Sequence, residues 1–179
     1  LVHAMRDLKQ RIVLLAPTGR AAKVLSKYAQ TPAYTIHKYI YRARAKSAPS
    51  LENATLQFRG YEARGERQAF TLRDNLHKNT LFIIDEASMI SGLRDNPIFG
   101  SGMLLEDLVR YVYSGEGCSM LLLGDNAQLP PVGSIQSPAL NIDYMSGYQL
   151  DIHSHTLTQV ARQASDSSIL DNATRLRPF

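Results

Sequence analysis

The 179-residue chain has 44% hydrophobic and 20% charged residues, a globular composition with room for one ordinary domain, or one and a small piece of another. Its one cysteine, Cys118, excludes an internal disulfide framework and a cysteine-based zinc site, and no apolar run approaches the roughly 20 residues that span a bilayer. Charge is uneven: residues 1–50 carry +9 and the remainder −5, the footprint of a polyanion partner, nucleic acid first, or of a solvated basic helix face. The amino end has neither a long apolar stretch nor a cleavage site, so a soluble, cytoplasmic protein is expected, processed or truncated at a start that lacks Met.

Leu1 to Leu8 reads as the end of a helix, with Leu1, Met5 and Leu8 at helical spacing. Ile12 to Ala16 is a continuous apolar run of strand length, closed by Pro17-Thr18-Gly19. Arg20 to Tyr28 is helical, with Ala21, Val24, Leu25 and Tyr28 as its inward stripe, and Ile36 to Tyr41 reads as a short helix. Apolar strand, glycine turn and helix in succession imply a parallel sheet covered on both faces. Arg42 to Asn53 is polar and loop-like. Thr55 to Phe58 and Ala69 to Leu72 alternate as strands do around Gly60 and Gly65, so a β-hairpin insertion is expected within about 42–80. Leu81 to Ile84 is a second buried strand, Met103 to Tyr113 an amphipathic helix with Leu104, Leu105, Leu108 and Val112 inward, and Met120 to Leu123 a third buried strand. His155 to Val160 fits a strand and Ser167 to Leu176 a helix.

The three apolar strands each end in a polar cluster: Pro17 to Arg20, Asp85 to Ser88, and Gly124 to Gln128. In an open parallel sheet, ligands bind beyond the carboxyl ends of the strands, so these clusters converge on one edge. Asp85-Glu86 behind Leu81-Phe82-Ile83-Ile84 is a Walker B pattern. A carboxylate at a strand tip suits a Mg²⁺ ion that keeps much of its water shell, and the next carboxylate is placed to orient or deprotonate an attacking water.

The ordered strings resemble the superfamily 1 DNA helicases, in particular the RecD-like, 5′→3′ (1B) branch. Ala16-Pro17-Thr18-Gly19-Arg20-Ala21-Ala22 looks like motif Ia, Thr35-Ile36-His37 like motif Ib and Ile84-Asp85-Glu86-Ala87-Ser88-Met89 like motif II. Leu123-Gly124-Asp125-Asn126-Ala127-Gln128-Leu129-Pro130-Pro131-Val132 is similar to motif III, and Leu157 to Gln163 followed by Ile169-Leu170 to motif IV. The resemblance implies an α/β, RecA-like P-loop NTPase fold that uses ATP and Mg²⁺. By it Asp85 holds the Mg²⁺ of MgATP, Glu86 activates water, Gln128 senses the γ-phosphate and Arg162 is an arginine finger. Gly124 and Asp125 belong to the same nucleotide-facing set. Pro17, Thr18, Gly19, Arg20 and His37 lie along single-stranded DNA, which agrees with the basic first segment. Thr55 to Leu72 takes the position of a strand-separating pin.

The family's Gly-x-x-x-x-Gly-Lys-[Ser/Thr] loop has no counterpart. Aligned on Gly19, Leu14 replaces the first Gly, Arg20 the Lys and Ala21 the Ser/Thr. The expectation is a chain that begins just after the P-loop and ends before motifs V and VI, inactive by itself. It comprises most of a first RecA-like domain (1–150) and the start of a second (151–179). The parent is then an ATP-dependent helicase acting on single-stranded DNA and duplex junctions in repair or recombination, with nuclease or repair subunits as partners. The alternatives are a DNA-binding domain that has lost its P-loop, or a P-loop ATPase that does not translocate.

Four further features have competing readings. His153 and His155 form a His-x-His pair for which no carboxylate or Cys partner is read nearby in sequence, so metal binding is the minor interpretation. Tyr34, Tyr39 and Tyr41 either stack on bases or pack in the core. Ser88 reads as a helix-start cap rather than a nucleophile, and Cys118 as an inert thiol beside a buried strand.

Overall fold

The computed structural model describes residues 1–44, 70–94, 96–128, 130–131 and 133–158. Helix α1 (Val2–Asp7) leads into β1 (Arg11–Ala16), α2 (Gly19–Ala29), β2 (Ala33–Thr35) and α3 (Ile36–Ile40). Short strands β3 (Tyr41–Ala43) and β4 (Phe70–Leu72) follow, then β5 (Thr80–Ile84), α4 (Leu104–Tyr113), β6 (Ser119–Leu122) and α5 (Ile142–Ser146). Among the described residues no helix is long and apolar enough to cross a membrane.

The sheet is wholly parallel, in the order β2-β1-β5-β6. Its centre is the β1–β5 pair, in register from Arg11↔Thr80 to Leu15↔Ile84. Alternate residues of these strands face opposite sides. Val13, Leu15, Phe82 and Ile84 join the larger core with Ile36 and Ile40 of α3 and Leu105, Leu108 and Val112 of α4. Leu14 and Ile83 face the other way, against Val2 of α1 and Leu25 and Ala29 of α2. Both faces are covered, which is why the strands read as unbroken apolar runs.

Several expectations need correction. The buried line of α2 is Ala22 and Ala29 with half-buried Leu25, whereas Val24 and Tyr28 are exposed. Small alanines let the helix sit close on the sheet, so size was a poor guide to the inward face. Tyr41 leaves α3 and starts β3, and Arg42 and Ala43 are strand rather than loop. Phe70 to Leu72 do form a strand, paired antiparallel with Tyr41 to Ala43; Thr55 to Phe58 lie outside the described residues. Residues 155–158 have no strand structure, and Ser167 to Leu176 again lie outside the described set.

Basic residues of the first segment are not all available to a ligand. The Arg6 guanidinium donates to the carbonyls of Ala29 (3.5 Å) and Gln30 (2.8 Å) and to the Thr31 hydroxyl. It therefore satisfies the carboxyl end of α2, where a cation also suits the helix dipole.

Candidate functional site

The carboxyl ends of β1, β5 and β6 are adjacent, so the polar clusters behind Ala16, Ile84 and Leu122 share one edge of the sheet. Thr18 is the N-cap of α2; its hydroxyl oxygen accepts from the Ala21 N–H at 3.2 Å. Gly19 and Arg20 are exposed in the first turn, while Pro17 and Thr18 are half-buried. Thr35, at the end of β2, caps α3 by accepting from the Lys38 N–H (3.3 Å). His37 lies half-buried in an aromatic cluster, its ring centroid 5.0 Å from that of Phe99 and 5.7 Å from that of Tyr41.

At the tip of β5, the Asp85 N–H extends the ladder to the Leu15 carbonyl (2.9 Å), and its carboxylate accepts from the Glu86 N–H (3.0 Å). Glu86 is left-handed, with φ 54° and ψ 39°. A non-glycine residue there stores about 1–3 kcal/mol of strain, which the surrounding bonds must hold. The turn it makes sends the Ala87 N–H onto the Leu123 carbonyl (2.8 Å), and the Leu123 N–H returns to Ile84 (2.8 Å). Both acids are half-buried, and neither is in an ion pair among the described residues.

Gly124 has a packing reason beside the expected nucleotide one. A β-carbon on it would lie 2.9 Å from the Ser88 backbone nitrogen and 2.8 Å from Cδ1 of Leu140. Gly124→Ala is therefore expected to push the β5 and β6 ends apart, costing about 1–3 kcal/mol, by analogy with overpacking. Thermal melting should show Tm several degrees lower; an unchanged Tm would refute the close approach. Asp125 forms a side-chain turn: its carboxylate accepts from the Ala127 N–H (2.9 Å) and its carbonyl from the Gln128 N–H (3.1 Å). Gln128 is exposed on that turn, and Arg162 lies outside the described residues.

Ser88 does not cap a helix. Glu86 occupies the N-cap position of the short 3₁₀ turn Ala87–Met89, and the buried Ser88 hydroxyl has no partner among the described residues. Cys118 is buried and its thiol donates to the His77 carbonyl (3.4 Å). The tyrosines divide. Tyr41 is a core residue whose hydroxyl donates to buried Asp107 (2.7 Å). Tyr39 is half-buried against His77 (2.8 Å), and burial, then neighbouring Tyr111, pushes its phenol up to about 12. Tyr34 alone of the three is 40% exposed. His153 meets Asp151 (3.5 Å), so the pair does have a carboxylate beside it, yet no cluster of three potential metal ligands occurs among the described residues.

At the tip of β5, Asp85, without a cluster of further ligands among the described residues, could hold only a cation whose shell is completed by phosphate and water, not one caged by side chains. It does not make a nucleotide site unaided, because the phosphate-cradling glycine loop and its lysine are not in this sequence.

A parallel sheet with helices on both faces and an acid pair at the tip of a central strand defines an α/β, RecA-like P-loop NTPase fold. The AAA domain model matches residues 1–178, and the chain belongs to that family. Over 168 residues, 93% of this chain, it is 30% identical to the ATP-dependent DNA helicase dda of Enterobacteria phage T4, and it spans 31% of that relative's length.

Proposed function

We propose that this chain is the portion of an ATP-dependent DNA helicase, of the RecD-like 5′→3′ branch, that carries the water-activating acids and part of the single-strand track. The reading is carried by one observation: the sheet order sets Thr18-Gly19-Arg20, Asp85-Glu86 and Gly124 to Gln128 side by side at one edge. In this reading Asp85 would hold Mg²⁺, Glu86 would take the proton of the attacking water, and Gln128 on its Asp125 turn would sense the nucleotide. MgATP, when bound, would supply the free energy of phosphoryl transfer, and Arg162 would offer a fixed cation to the transferring oxygens. Gly19 and Arg20, with His37, contact the DNA strand. Residues 1–150 form the first RecA-like domain, 151–179 begin the second, and 55–72 serve as the pin. Repair or recombination is the setting.

One observation favours a second reading, DNA binding without hydrolysis: the 179 residues contain no Gly-x-x-x-x-Gly-Lys-[Ser/Thr] string. An ATPase assay with and without single-stranded DNA separates the two. The 179-residue chain is expected to show no turnover, and the full-length protein to show turnover stimulated by DNA. A full-length protein that binds DNA without hydrolysing ATP would establish the second reading. Turnover indifferent to DNA would point to an ATPase that does not translocate.

A further inference from the structure

Helix α2 carries Arg20, Lys23 and Lys27 at spacings of three and four, which puts all three on one side of the helix, and it contains no acid. That arrangement is unfavourable in the unliganded protein. Lysines four apart repel each other, and Arg20 in the first turn opposes the positive end of the helix dipole. Nothing in the core requires it, because α2 packs through Ala22, Leu25 and Ala29. Lys38 of α3 faces Lys23 and Lys27 across an open groove whose lining also includes Tyr34 and no acidic side chain. All three lysines are exposed, and no ion pair engages them among the described residues. The groove's lining includes Gly19, the first residue of α2, and Thr35, the last of β2, but neither Asp85 nor Glu86. Tyr34 and Lys38 also line the next depression, with Arg73 and His77; its acid, Asp74, lies 3.8 Å from Arg42.

We infer that this groove between α2 and α3 is a second track for nucleic acid, in which Lys23, Lys27 and Lys38 neutralise successive phosphates of a single strand and Tyr34 offers a face for a base. It rests on the DNA-binding part of the reading above and extends it beyond the strand-end residues. Lysines act on phosphates as mobile point charges, so the track fixes path and affinity without reading sequence. Stacking on an exposed aromatic is equally tolerant of base identity.

The test is fluorescence anisotropy of labelled oligothymidine with the 179-residue chain, titrated over a range of salt. The proteins are wild type, the triple variant Lys23→Gln/Lys27→Gln/Lys38→Gln, and Tyr34→Ala. Each neutralised phosphate contributes about 0.7 to the slope of log K against log salt for a single strand. The triple variant is expected to lose about 2 units of that slope and to bind roughly 10- to 100-fold more weakly near 0.1 M salt. Circular dichroism melts should show it no less stable than wild type, since the replaced side chains are exposed and mutually repulsive. Tyr34→Ala is expected to weaken binding with the slope unchanged. Wild-type binding with an unaltered slope in the triple variant would overturn the track while leaving the helicase reading intact. Failure of wild type to bind oligothymidine would overturn the track together with the placing of Gly19, Arg20 and His37 on the DNA strand.

Discussion

Glu86→Gln is expected to lower kcat for DNA-stimulated ATP hydrolysis in the full-length protein by about 10²- to 10⁴-fold, the range of a lost general base. The replacement keeps the size and the hydrogen-bonding reach of the side chain but cannot take a proton from water. Glutamine meets the left-handed backbone at this position with the same steric cost as glutamate, since both have the same β-carbon. The Asp85 carboxylate still accepts the backbone N–H of residue 86, and the Ala87 to Leu123 bond is backbone only. The variant should therefore melt at the wild-type temperature and bind nucleotide and DNA as before. Single-turnover hydrolysis measured beside nucleotide affinity decides the matter. A variant with wild-type turnover would remove Glu86 from the chemistry and leave it as a turn residue.

Arg162→Ala and Arg162→Lys should both reduce kcat steeply, on the order of 10³-fold or more, with little change in affinity for single-stranded DNA. An arginine finger acts through a planar, permanently charged fork that fits the oxygens of the transferring phosphoryl group, and a lysine ammonium does not reproduce that fit. The competing role is an ion pair with Asp166, four residues on in the chain. An exposed pair of that kind contributes only about 0–1 kcal/mol, so the lysine variant would then be nearly silent and Asp166→Ala would copy the alanine defect. Measuring kcat for the three variants separates the two. A fully active Arg162→Lys enzyme would sink the finger assignment.

The parts of the fold that could be read from the sequence were those whose burial leaves a simple pattern. Ile12 to Ala16 and Leu81 to Ile84 are apolar without interruption because helices cover both sides of the sheet. Strand β2 left no such mark: Ala33-Tyr34-Thr35 is three residues long, follows a proline and carries two polar-ended side chains. The α2 face was misjudged because Val24 and Tyr28 look more apolar than Ala22 and Ala29, yet close packing on a sheet favours the smaller pair. At the strand edge, the clusters were visible as strings. What joins them was not: the turn at left-handed Glu86, held by the Ala87 to Leu123 bond, and the Gly124 contact depend on residues being brought together by β-pairing, whereas the Asp125 turn is local. Two of the groove lysines, Lys23 and Lys27, carry one sign in the sequence, the spacing of three cations with Arg20 on a helix that has no acid.

The antiparallel pairing of β3 with β4 gives the chain a neck. Tyr41↔Leu72 and Ala43↔Phe70 hold the two ends of the intervening stretch side by side, and Phe70 stacks on Phe99 with ring centroids 4.6 Å apart. The entropy of closing that stretch is settled at the neck and not in the parallel sheet. The chain therefore leaves and re-enters the described domain at a single point, and a change in the number of residues between Ala43 and Phe70 would bear on the β3–β4 pair before it reached the parallel sheet.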